Sequence, residues 1–510
     1  MDVFSTPPEG SGRRAPDAHR RLLAGGVGVV VATGLATAPA PANAHEALPD
    51  LVTTDNILGH LENLQKISER NGGNRADGTP GHDASTDYVI DQLETAGYEP
   101  EKRTYEFDHW EEHSTPEFAR TAPEQRDFVP HEDFRTMTHS GSGDVAAAGV
   151  PVSPDSDASG CRSADFADFP EDAVAIMRRG TCSFAVKVDN AVEAGASAAV
   201  IFNGGGESDQ ESGVFTGTVG PPADIPVLST STAVGEELAD TGAGLEVRLT
   251  VDAGVTRASS HNVIADTSGG ADDTTIVVGA HLDSVPAGPG LNDNGSGVAA
   301  ILETAVQLGT LDDPANRVRF AFWGSEELGL VGSTEYVENL SAAERESIAL
   351  YLNFDMIGSP NYGRFVFDGR GELEESMPPP PGSAEIQELF EDYFAERGLA
   401  SEPTALDGRS DYAPFLDAGI PSGGLFSGAG DLKTEEQAEL FGGTAGEPFD
   451  PNYHTPDDDL ANINETSVAE LSGGIAHAVQ TYADTPLDGS ASPRDPAEAP
   501  LLRQAELWQR

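Results

Sequence analysis

Apolar side chains recur at helical spacing in the first part of the chain. Between residues 50 and 105 they fall three or four positions apart, first over 57–64 and again over 88–93. This spacing predicts two amphipathic helices that each bury one face. Residues 102–107 then predict a short strand.

A different rhythm begins after His261. Strongly apolar runs at 275–280 and 318–323 alternate with a helical stretch at 298–308. Apolar strands that alternate with helices are typical of a mostly parallel sheet covered on both faces. We therefore expect an α/β fold in which a mostly parallel mixed sheet is sandwiched by helices.

The stretch between these two parts has another character. It contains short β-like runs separated by clusters of Gly, Asp, Ser and Pro, at 174–176, 198–201, 225–228 and 245–249. These runs predict a smaller β-rich domain at 127–255, inserted into one larger domain made of 45–126 and 256–485. Residues 486–510 are dominated by Ser, Pro, Asp and Glu, which predicts a flexible C-terminal tail.

The first 44 residues have the composition of an export signal. Arginine pairs at 13–14 and 20–21 precede an apolar stretch at 22–36, and small residues follow at 42–44. This order predicts a signal peptide over 1–44 and a secreted, extracellular protein. The twin arginines admit a Tat route, although a Sec signal fits almost as well. The alternative is a retained anchor, but the apolar run is shorter than the ~20 residues that span a membrane, so we expect no stable membrane anchor.

The chain is strongly acidic. Its 510 residues include 29 Lys and Arg against 86 Asp and Glu, so the formal net charge is −57 at pH 7. Such a chain does not neutralise phosphates, which excludes nucleic acid as the expected partner. Only four residues are lysine. Because a lysine-poor, carboxylate-rich surface stays hydrated in concentrated salt, we expect a halophilic or halotolerant source.

Two cysteines, Cys161 and Cys182, lie within the expected insertion. In an exported protein we expect them to form a disulfide that closes a loop of about 20 residues. Two unpaired thiols are the alternative. A zinc site formed by these cysteines is disfavoured, because two thiolates alone lack the remaining ligands.

Metal-binding residue types cluster where apolar strands of the α/β part end. Five short segments carry them: 280–284 with His281 and Asp283, 290–297 with Asp293, 323–329 with Glu326 and Glu327, 352–358 with Asp355, and 453–457 with His454. Ligands gather beyond the carboxyl ends of strands in open α/β sheets, so these segments can converge on one cleft. Histidines are scarce, with 12 in the chain, which makes two of them in this set informative.

The set suits zinc, and its two imidazoles and three carboxylates are enough for two ions. If His281 and Glu327 hold different ions and Asp293 bridges them, Asp355 and His454 complete two sites that each keep an open position. Glu326 then lies beside a ligand without being one, and it can take a proton from water. Asp283 is placed to accept the second imidazole N–H of the first histidine and so to hold its tautomer.

These motifs resemble those of the M28 family of co-catalytic zinc exopeptidases, in particular secreted bacterial aminopeptidases with a Streptomyces-type catalytic domain. The similarity covers about 50–126 and 260–484, and its motifs stand in order as H-L-D, G-L-N-D-N-G-S-G, G-S-E-E-L-G, N-F-D-M-I-G and Y-H-T-P-D-D. The resemblance implies the zinc-exopeptidase, phosphorylase/hydrolase-like fold. It also implies two zinc ions per chain and a peptide substrate with a free N-terminus, with a leaning toward large apolar N-terminal residues.

The resemblance also implies individual roles. One ion is held by His281 and Asp355, the second by Glu327 and His454, and Asp293 bridges the two, often with a cis peptide bond after it. Glu326 corresponds to the general base, and Asp283 to a catalytic aspartate that does not bind metal. Tyr453 corresponds to a tyrosine that stabilises the tetrahedral oxyanion. Arg409 corresponds to an arginine that helps to place the substrate.

The insertion resembles a protease-associated (PA) domain. The segments that carry the similarity lie at 160–161, 176–187 and 195–203 and include both cysteines. Such domains act as lids or substrate-interaction modules and carry no catalytic residues, so the resemblance implies a role in access to the active site.

We therefore predict a secreted di-zinc aminopeptidase. A carboxypeptidase and a glutaminyl cyclase of the same fold are alternatives, although cyclases of this superfamily work with one zinc. From a different class, the chain could be a catalytically inactive, metal-stabilised peptide-binding protein, which the intact Glu326 and Asp283 disfavour. The oligomeric state is left open.

Overall fold

The computed structural model describes residues 47–206 and 212–487. Within these ranges the chain forms two eight-stranded sheets. The expected signal peptide lies outside the described residues, as does the expected tail from residue 488 onward. In the described part of the chain, no helix combines the length and apolar character needed to cross a membrane.

The described part of the chain contains the following strands and helices, each group given in sequence order. The strands are β1 (Glu101–Glu112), β2 (Glu117–Ala122), β3 (Arg126–Asp127), β4 (Phe134–Thr136), β5 (Gly143–Pro151), β6 (Val174–Arg178), β7 (Ala198–Phe202), β8 (Val227–Thr230), β9 (Glu246–Val251), β10 (Ala253–Asp266), β11 (Ala271–His281), β12 (Asn316–Trp323), β13 (Ile348–Phe354), β14 (Phe365–Phe367), β15 (Glu402–Thr404) and β16 (Ser422–Phe426). The helices are Leu48–Leu51, Thr54–Arg70, Pro80–Thr95, Phe184–Glu193, Thr232–Thr241, Gly297–Leu308, Val331–Glu338, Ala342–Ser347, Ser383–Glu396, Tyr412–Asp417, Glu435–Phe441 and Glu465–Asp484.

The larger sheet is mixed and has parallel central strands. Its order is β1-β10-β12-β11-β13-β16-β14-β15. Strands β12, β11, β13 and β16 run parallel to one another, whereas β10 and β14 join them in the antiparallel direction. The expected α/β fold is confirmed, and the antiparallel strands lie toward the edges.

Helices cover both faces of this sheet. Helices Gly297–Leu308 and Glu465–Asp484 pack on one face, together with the first helix pair. Helices Val331–Glu338 and Tyr412–Asp417 contribute to a second core on the other face. Successive side chains of a strand point to opposite faces, so Val278 of β11 lies in the first core and Val277 in the second.

The carboxyl ends of the central strands meet at one edge. His281, the last residue of β11, lies opposite Trp323, the last residue of β12. On the other side of β11, Gly279 lies opposite Asn353 near the end of β13. This register brings the segments that follow β11, β12 and β13 to the same place, as the sequence predicts for the metal-binding residues.

The smaller sheet is formed entirely by β2 to β9, in the order β3-β2-β9-β5-β6-β7-β8-β4. It begins with β2 at Glu117, before the expected boundary at 127, because β2 pairs with β9. Strands β5 to β8 run parallel to one another, and two helices connect β6 to β7 and β8 to β9. Cys161 and Cys182 form the expected disulfide, with an S–S distance of 2.03 Å.

A long two-stranded ribbon leads from one sheet to the other. Strand β1 pairs with β10 along its whole length, from Glu101 opposite Ile264 to Glu112 opposite Ala253. The strand expected at 102–107 is therefore longer than the sequence predicts, because β10 offers a partner for the additional residues. The chain leaves the larger sheet through β1 and returns to it through β10.

Candidate metal centre and active site

The predicted metal-binding residues converge at the carboxyl edge of the larger sheet. His281 ends β11, and Asp355 directly follows β13. Glu326 and Glu327 lie in the turn after β12, whereas Asp293 lies in the helical turn Leu291–Ser296. Strands β11, β12 and β13 are parallel neighbours, so the segments that follow their carboxyl ends bring these side chains to one place.

Asp293 lies between the two histidines and faces each with a different oxygen. Its Oδ1 is 3.1 Å from Nε2 of His281, and its Oδ2 is 3.0 Å from Nε2 of His454. A second carboxylate also lies beside each of the two histidines. Asp355 Oδ1 lies 3.2 Å from Nε2 of His281, and Glu327 Oε2 lies 3.2 Å from Nε2 of His454.

These distances suit zinc. In a tetrahedral site with Zn–N and Zn–O distances near 2.0–2.2 Å, two ligand atoms of one ion lie about 3.4 Å apart. The observed separations of 3.0–3.2 Å between imidazole nitrogens and carboxylate oxygens are close to that value. In addition, Oε1 of Glu327 is buried without a hydrogen-bond partner. The donor set and this unsatisfied oxygen therefore fit bound zinc.

The electrostatics favour a cation at this position. Burial and the neighbouring Asp293 raise the pKa of Glu327 to about 7. Although burial opposes the charged imidazolium, hydrogen bonds to Asp293 and Glu327 raise the pKa of His454 to about 10. Burial likewise opposes protonation of His281, but Glu326 and Asp355 raise its pKa well above the ordinary value. The site thus concentrates negative charge in a buried volume, which a divalent cation neutralises.

Glu326 stands slightly apart from the ligand set. Its Oε2 is 3.8 Å from Nε2 of His281, compared with 3.1 and 3.2 Å for Asp293 and Asp355. Its side chain is buried, and this burial raises its pKa well above the usual range for a glutamate. A carboxyl group with a raised pKa beside the predicted ligands holds a transferred proton more readily than an ordinary glutamate does.

Asp283 makes a different contact from the one the sequence suggests. The imidazole Nδ1 of His281 lies 3.1 Å from the backbone carbonyl oxygen of Asp283, whereas the nearest Asp283 carboxylate oxygen is 3.7 Å away. The carboxylate instead accepts the backbone N–H groups of Glu326 and Glu327, at 3.1 and 3.2 Å. The expected imidazole–carboxylate hydrogen bond is therefore replaced, and Asp283 holds, as a clamp, the turn that carries the predicted base and a predicted ligand.

Asp458 forms a second clamp of the same kind. Its two carboxylate oxygens accept the backbone N–H groups of Asn292 and Asp293, at 2.9 and 3.0 Å. Asp458 lies four residues after His454, so it fixes the segment of one predicted ligand against the turn that carries Asp293. Only its place in the Y-H-T-P-D-D motif signals it in the sequence.

Arg75 is a further site residue that sequence reasoning missed. Its side chain is fully buried, and its guanidinium donates to the backbone carbonyls of Leu282, Pro289 and Gly290. It thereby ties the end of β11 to the loop that precedes Asp293. Burial lowers its pKa to about 10, although nearby carboxylates oppose the shift. Its partners lie more than 200 positions along the chain, so no local pattern could have indicated them.

The two residues assigned by resemblance lie in more open positions. The ring of Tyr453 stacks on the His454 imidazole, with centroids 3.8 Å apart, and 37% of the tyrosine is exposed. The Arg409 side chain is 66% exposed, and its Nε donates to Asp407 at 2.6 Å. Tyr453 therefore adjoins the metal ligands, whereas Arg409 is paired within its own loop. The peptide bond between Asp293 and Asn294 is cis, as the resemblance implies.

Two family models match the chain. The model of peptidase family M28 matches residues 262–479, and the model of the PA domain matches residues 142–238. The first match contains all five predicted metal ligands. The second lies within the smaller sheet and contains both cysteines.

Curated relatives match most of the chain. An aminopeptidase of Pseudomonas aeruginosa is 44% identical, over 84% of this chain and 81% of its own length. The probable lipoprotein aminopeptidase LpqL of Mycobacterium tuberculosis is also 44% identical, over 87% and 88% of the two chains. Leucine aminopeptidase 2 of Trichophyton tonsurans is 37% identical, over 87% of each.

Solved structures show the same fold. The aminopeptidase from Aneurinibacillus sp. strain AM-1 superposes with a TM-score of 0.69 at 26% identity, covering 88% of this chain and 98% of its own. BSAP, a zinc aminopeptidase from Bacillus subtilis, superposes with a TM-score of 0.63 at 23% identity, covering 87% and 98%.

Proposed function

Since the chain belongs to peptidase family M28 and is a zinc-dependent aminopeptidase, we propose that two zinc ions per chain act together to remove N-terminal residues from peptides. The observation that carries the proposal is the placement of Asp293, whose two oxygens face two histidines on opposite sides. His281 and Asp355 would hold one ion, and Glu327 and His454 the other.

Zinc bound there supplies Lewis acidity, which lowers the pKa of a water molecule and polarises the scissile carbonyl. The protein supplies the proton transfers. The Glu326 carboxylate accepts a proton from the attacking water and then donates it to the nitrogen of the leaving amine. Its burial and raised pKa support this role, because burial favours the protonated form that exists between the two proton transfers.

The substrate is oriented by groups at the mouth of the site. The free α-amine carries a positive charge, which the buried carboxylates attract. The hydroxyl of Tyr453, beside His454, stabilises the oxyanion that forms from the carbonyl. Arg409 lies beside Ser410, which contacts Asp355, and it helps to place the substrate. We further propose a preference for large apolar N-terminal residues, which the likeness to a leucine aminopeptidase supports.

Substitution of the base tests this proposal. Glu326→Gln keeps the shape of the side chain but removes its ability to accept a proton. We expect kcat on leucine p-nitroanilide to fall by about 10²- to 10⁴-fold, while zinc per chain stays unchanged. The control is Glu303→Gln, because Glu303 is equally buried but lies in a network with His60 and Asn56 away from the site.

The outcomes separate the alternatives. Equal hydrolysis by Glu326→Gln and the wild type would contradict the assigned base. Loss of zinc in Glu326→Gln would make Glu326 a ligand. An inactive wild type with bound zinc would favour the peptide-binding protein, and cleavage of C-terminal substrates only would favour a carboxypeptidase.

We also propose that the protein is secreted and comes from a saline environment. The arginine pairs and apolar stretch before residue 44 support export, and the net charge of −57 with four lysines supports a surface suited to salt. Mass analysis of the N-terminus of protein recovered from culture medium tests the export signal. A chain beginning at His45 supports cleavage after Ala44, whereas an intact N-terminus contradicts it.

A further inference from the structure

A chain of four hydrogen bonds runs through the buried side of the site and ends on a proposed ligand. Trp323 Nε1 donates to the Tyr351 hydroxyl at 2.9 Å. That hydroxyl in turn donates to Asn353 Oδ1 at 2.8 Å. Asn353 Nδ2 donates to the Ser410 hydroxyl at 2.9 Å, and that hydroxyl donates to Asp355 Oδ2 at 2.7 Å.

The chemistry of the two ends dictates the direction of every bond. An indole N–H can only donate, and an ionised carboxylate can only accept. Ser410 must therefore give its proton to Asp355, which leaves its oxygen to accept from the Asn353 amide. The carbonyl oxygen of that amide then faces Tyr351, whose hydroxyl accepts from Trp323. Each group in the chain has one compatible orientation, so the amide cannot flip without breaking two bonds.

The fold holds this chain rigidly. Trp323, Tyr351 and Asn353 have at most 1% of their surface exposed. The Tyr351 ring stacks on Phe415 with centroids 3.9 Å apart and planes 5° apart. Gly279 of β11 lies between β12, which carries Trp323, and β13, which carries Tyr351. A Cβ at Gly279 would collide with Tyr351 Oη and Trp323 Nε1. A glycine in this central strand thus leaves the space that the first bond of the chain needs.

The last bond of the chain gives the two oxygens of the Asp355 carboxylate different neighbours. Ser410 occupies Oδ2, whereas Oδ1 lies 3.2 Å from Nε2 of His281. A carboxylate can rotate about its Cβ–Cγ bond with little resistance, so a lone aspartate would not keep one oxygen beside the imidazole. The hydrogen bond from a fixed hydroxyl removes that freedom.

We propose that Ser410, held by Asn353, Tyr351 and Trp323, is a positioning residue that orients Asp355 toward its zinc ion. The inference rests on the proposed role of Asp355 as a ligand and deepens it. Groups that hydrogen-bond metal ligands commonly change metal affinity or activity by 10- to 100-fold when they are removed. In this protein the chain of hydrogen bonds that includes Ser410 extends from Asp355 to Trp323 in the core.

Zinc affinity is the direct test. Full-length Ser410→Ala and Tyr351→Phe are equilibrated with graded concentrations of a zinc chelator, and zinc per chain is measured. We expect Ser410→Ala to release zinc at a chelator concentration about 10- to 100-fold below that of the wild type. Tyr351→Phe removes the second donor of the chain but leaves the ring, so we expect a smaller change of the same sign. The double variant should equal Ser410→Ala, because the chain is already interrupted.

Two control variants lose a comparable hydrogen bond elsewhere. Ser467 is buried and donates to the backbone carbonyl of Ile357 at 2.7 Å, two residues beyond Asp355. Tyr98 is buried and donates to the carbonyl of Ala305 at 2.8 Å. Ser467→Ala and Tyr98→Phe should lower thermal stability while leaving zinc affinity unchanged. In the cobalt(II)-substituted enzyme, Ser410→Ala should also alter the visible spectrum, and Ser467→Ala should not.

The outcomes distinguish this inference from the ligand assignment. If Ser410→Ala binds zinc within twofold of the wild type, or if Ser467→Ala loses as much affinity, the inference is overturned. An unchanged Tyr351→Phe overturns the extension of the chain beyond Asn353. Should Asp355→Ala keep both ions, the ligand assignment itself fails; should it lose one while Ser410→Ala keeps both, only the inference fails.

Discussion

The clamp formed by Asp283 offers a sharp test of how this site is built. Its carboxylate is fully buried and accepts two consecutive backbone N–H groups, those of Glu326 and Glu327. Asp283→Asn keeps the size of the side chain, and it keeps the backbone carbonyl that contacts His281. However, the amide has one acceptor oxygen, and its NH2 group turns toward an N–H group that has lost its acceptor.

The magnitude follows from the bond that is lost. A hydrogen bond to a charged group contributes about 1.5–3 kcal/mol. If this energy holds the turn in its catalytic position, its loss appears in the transition state. Because about 1.4 kcal/mol corresponds to a factor of ten, kcat/KM should fall about 10- to 150-fold.

Steady-state kinetics on leucine p-nitroanilide measure this effect, with thermal melting measured in parallel. The control is Asp368→Asn, because Asp368 is also buried, directly follows β14 outside the site, and accepts the Leu373 N–H through its carboxylate at 2.8 Å. The control should lose stability but keep kcat/KM. A kcat/KM within threefold of the wild type for Asp283→Asn would refute the reasoning, because the clamp would then only stabilise the fold.

Three further predictions concern stability. Burial raises the pKa of Asp417 from 3.8 to about 6, so its ionisation destabilises the fold increasingly as pH rises between these values. Asp417→Asn should therefore raise the free energy of unfolding at pH 7.5 by about 1 kcal/mol, a value that allows for partial exposure, and change it little at pH 3.5. Urea titrations measure both values, and equal gains at the two pH values would contradict the raised pKa of Asp417. Replacing Cys161 and Cys182 by alanine should lower the free energy of unfolding by about 3 kcal/mol, since the disulfide closes a loop with a sequence separation of 21, and urea unfolding under oxidising conditions checks this. Dialysis from concentrated to dilute salt should lower activity and melting temperature through repulsion among the carboxylates, and full retention of both would argue against a halophilic surface.

The sequence predicts the parts of the site that local pattern can carry. Apolar runs ending in His281 and near Asp355 mark strands whose carboxyl ends carry ligands, and the register of β11 with its neighbours confirms their convergence. The same reasoning misplaced the contact of Asp283. Its residue type and its position two residues after His281 suggest the imidazole as the hydrogen-bond partner of its carboxylate. In the fold, however, the backbone N–H groups of Glu326 and Glu327 lie nearer to that carboxylate.

Long-range polar contacts explain what the sequence could not predict. A buried arginine such as Arg75 can satisfy its donors with any carbonyl that the fold brings near, and these carbonyls lie in loops far along the chain. Ser410 likewise has no signature in the sequence that distinguishes it from a surface serine. Periodicity reports which face of an element is buried, but it does not report which distant backbone or hydroxyl group a buried polar side chain meets.

The ribbon of β1 and β10 joins the smaller sheet to the larger one through two adjacent strands. All eight strands of the smaller sheet lie between Glu112 and Ala253, and these two residues face each other across the ribbon. A tight turn could join them directly and close an ordinary hairpin, because paired strands lie only about 4.8 Å apart. A gene could therefore gain or lose this entire segment in one step while every predicted zinc ligand keeps its place, so the architecture allows the smaller domain to evolve separately from the sheet that carries the site.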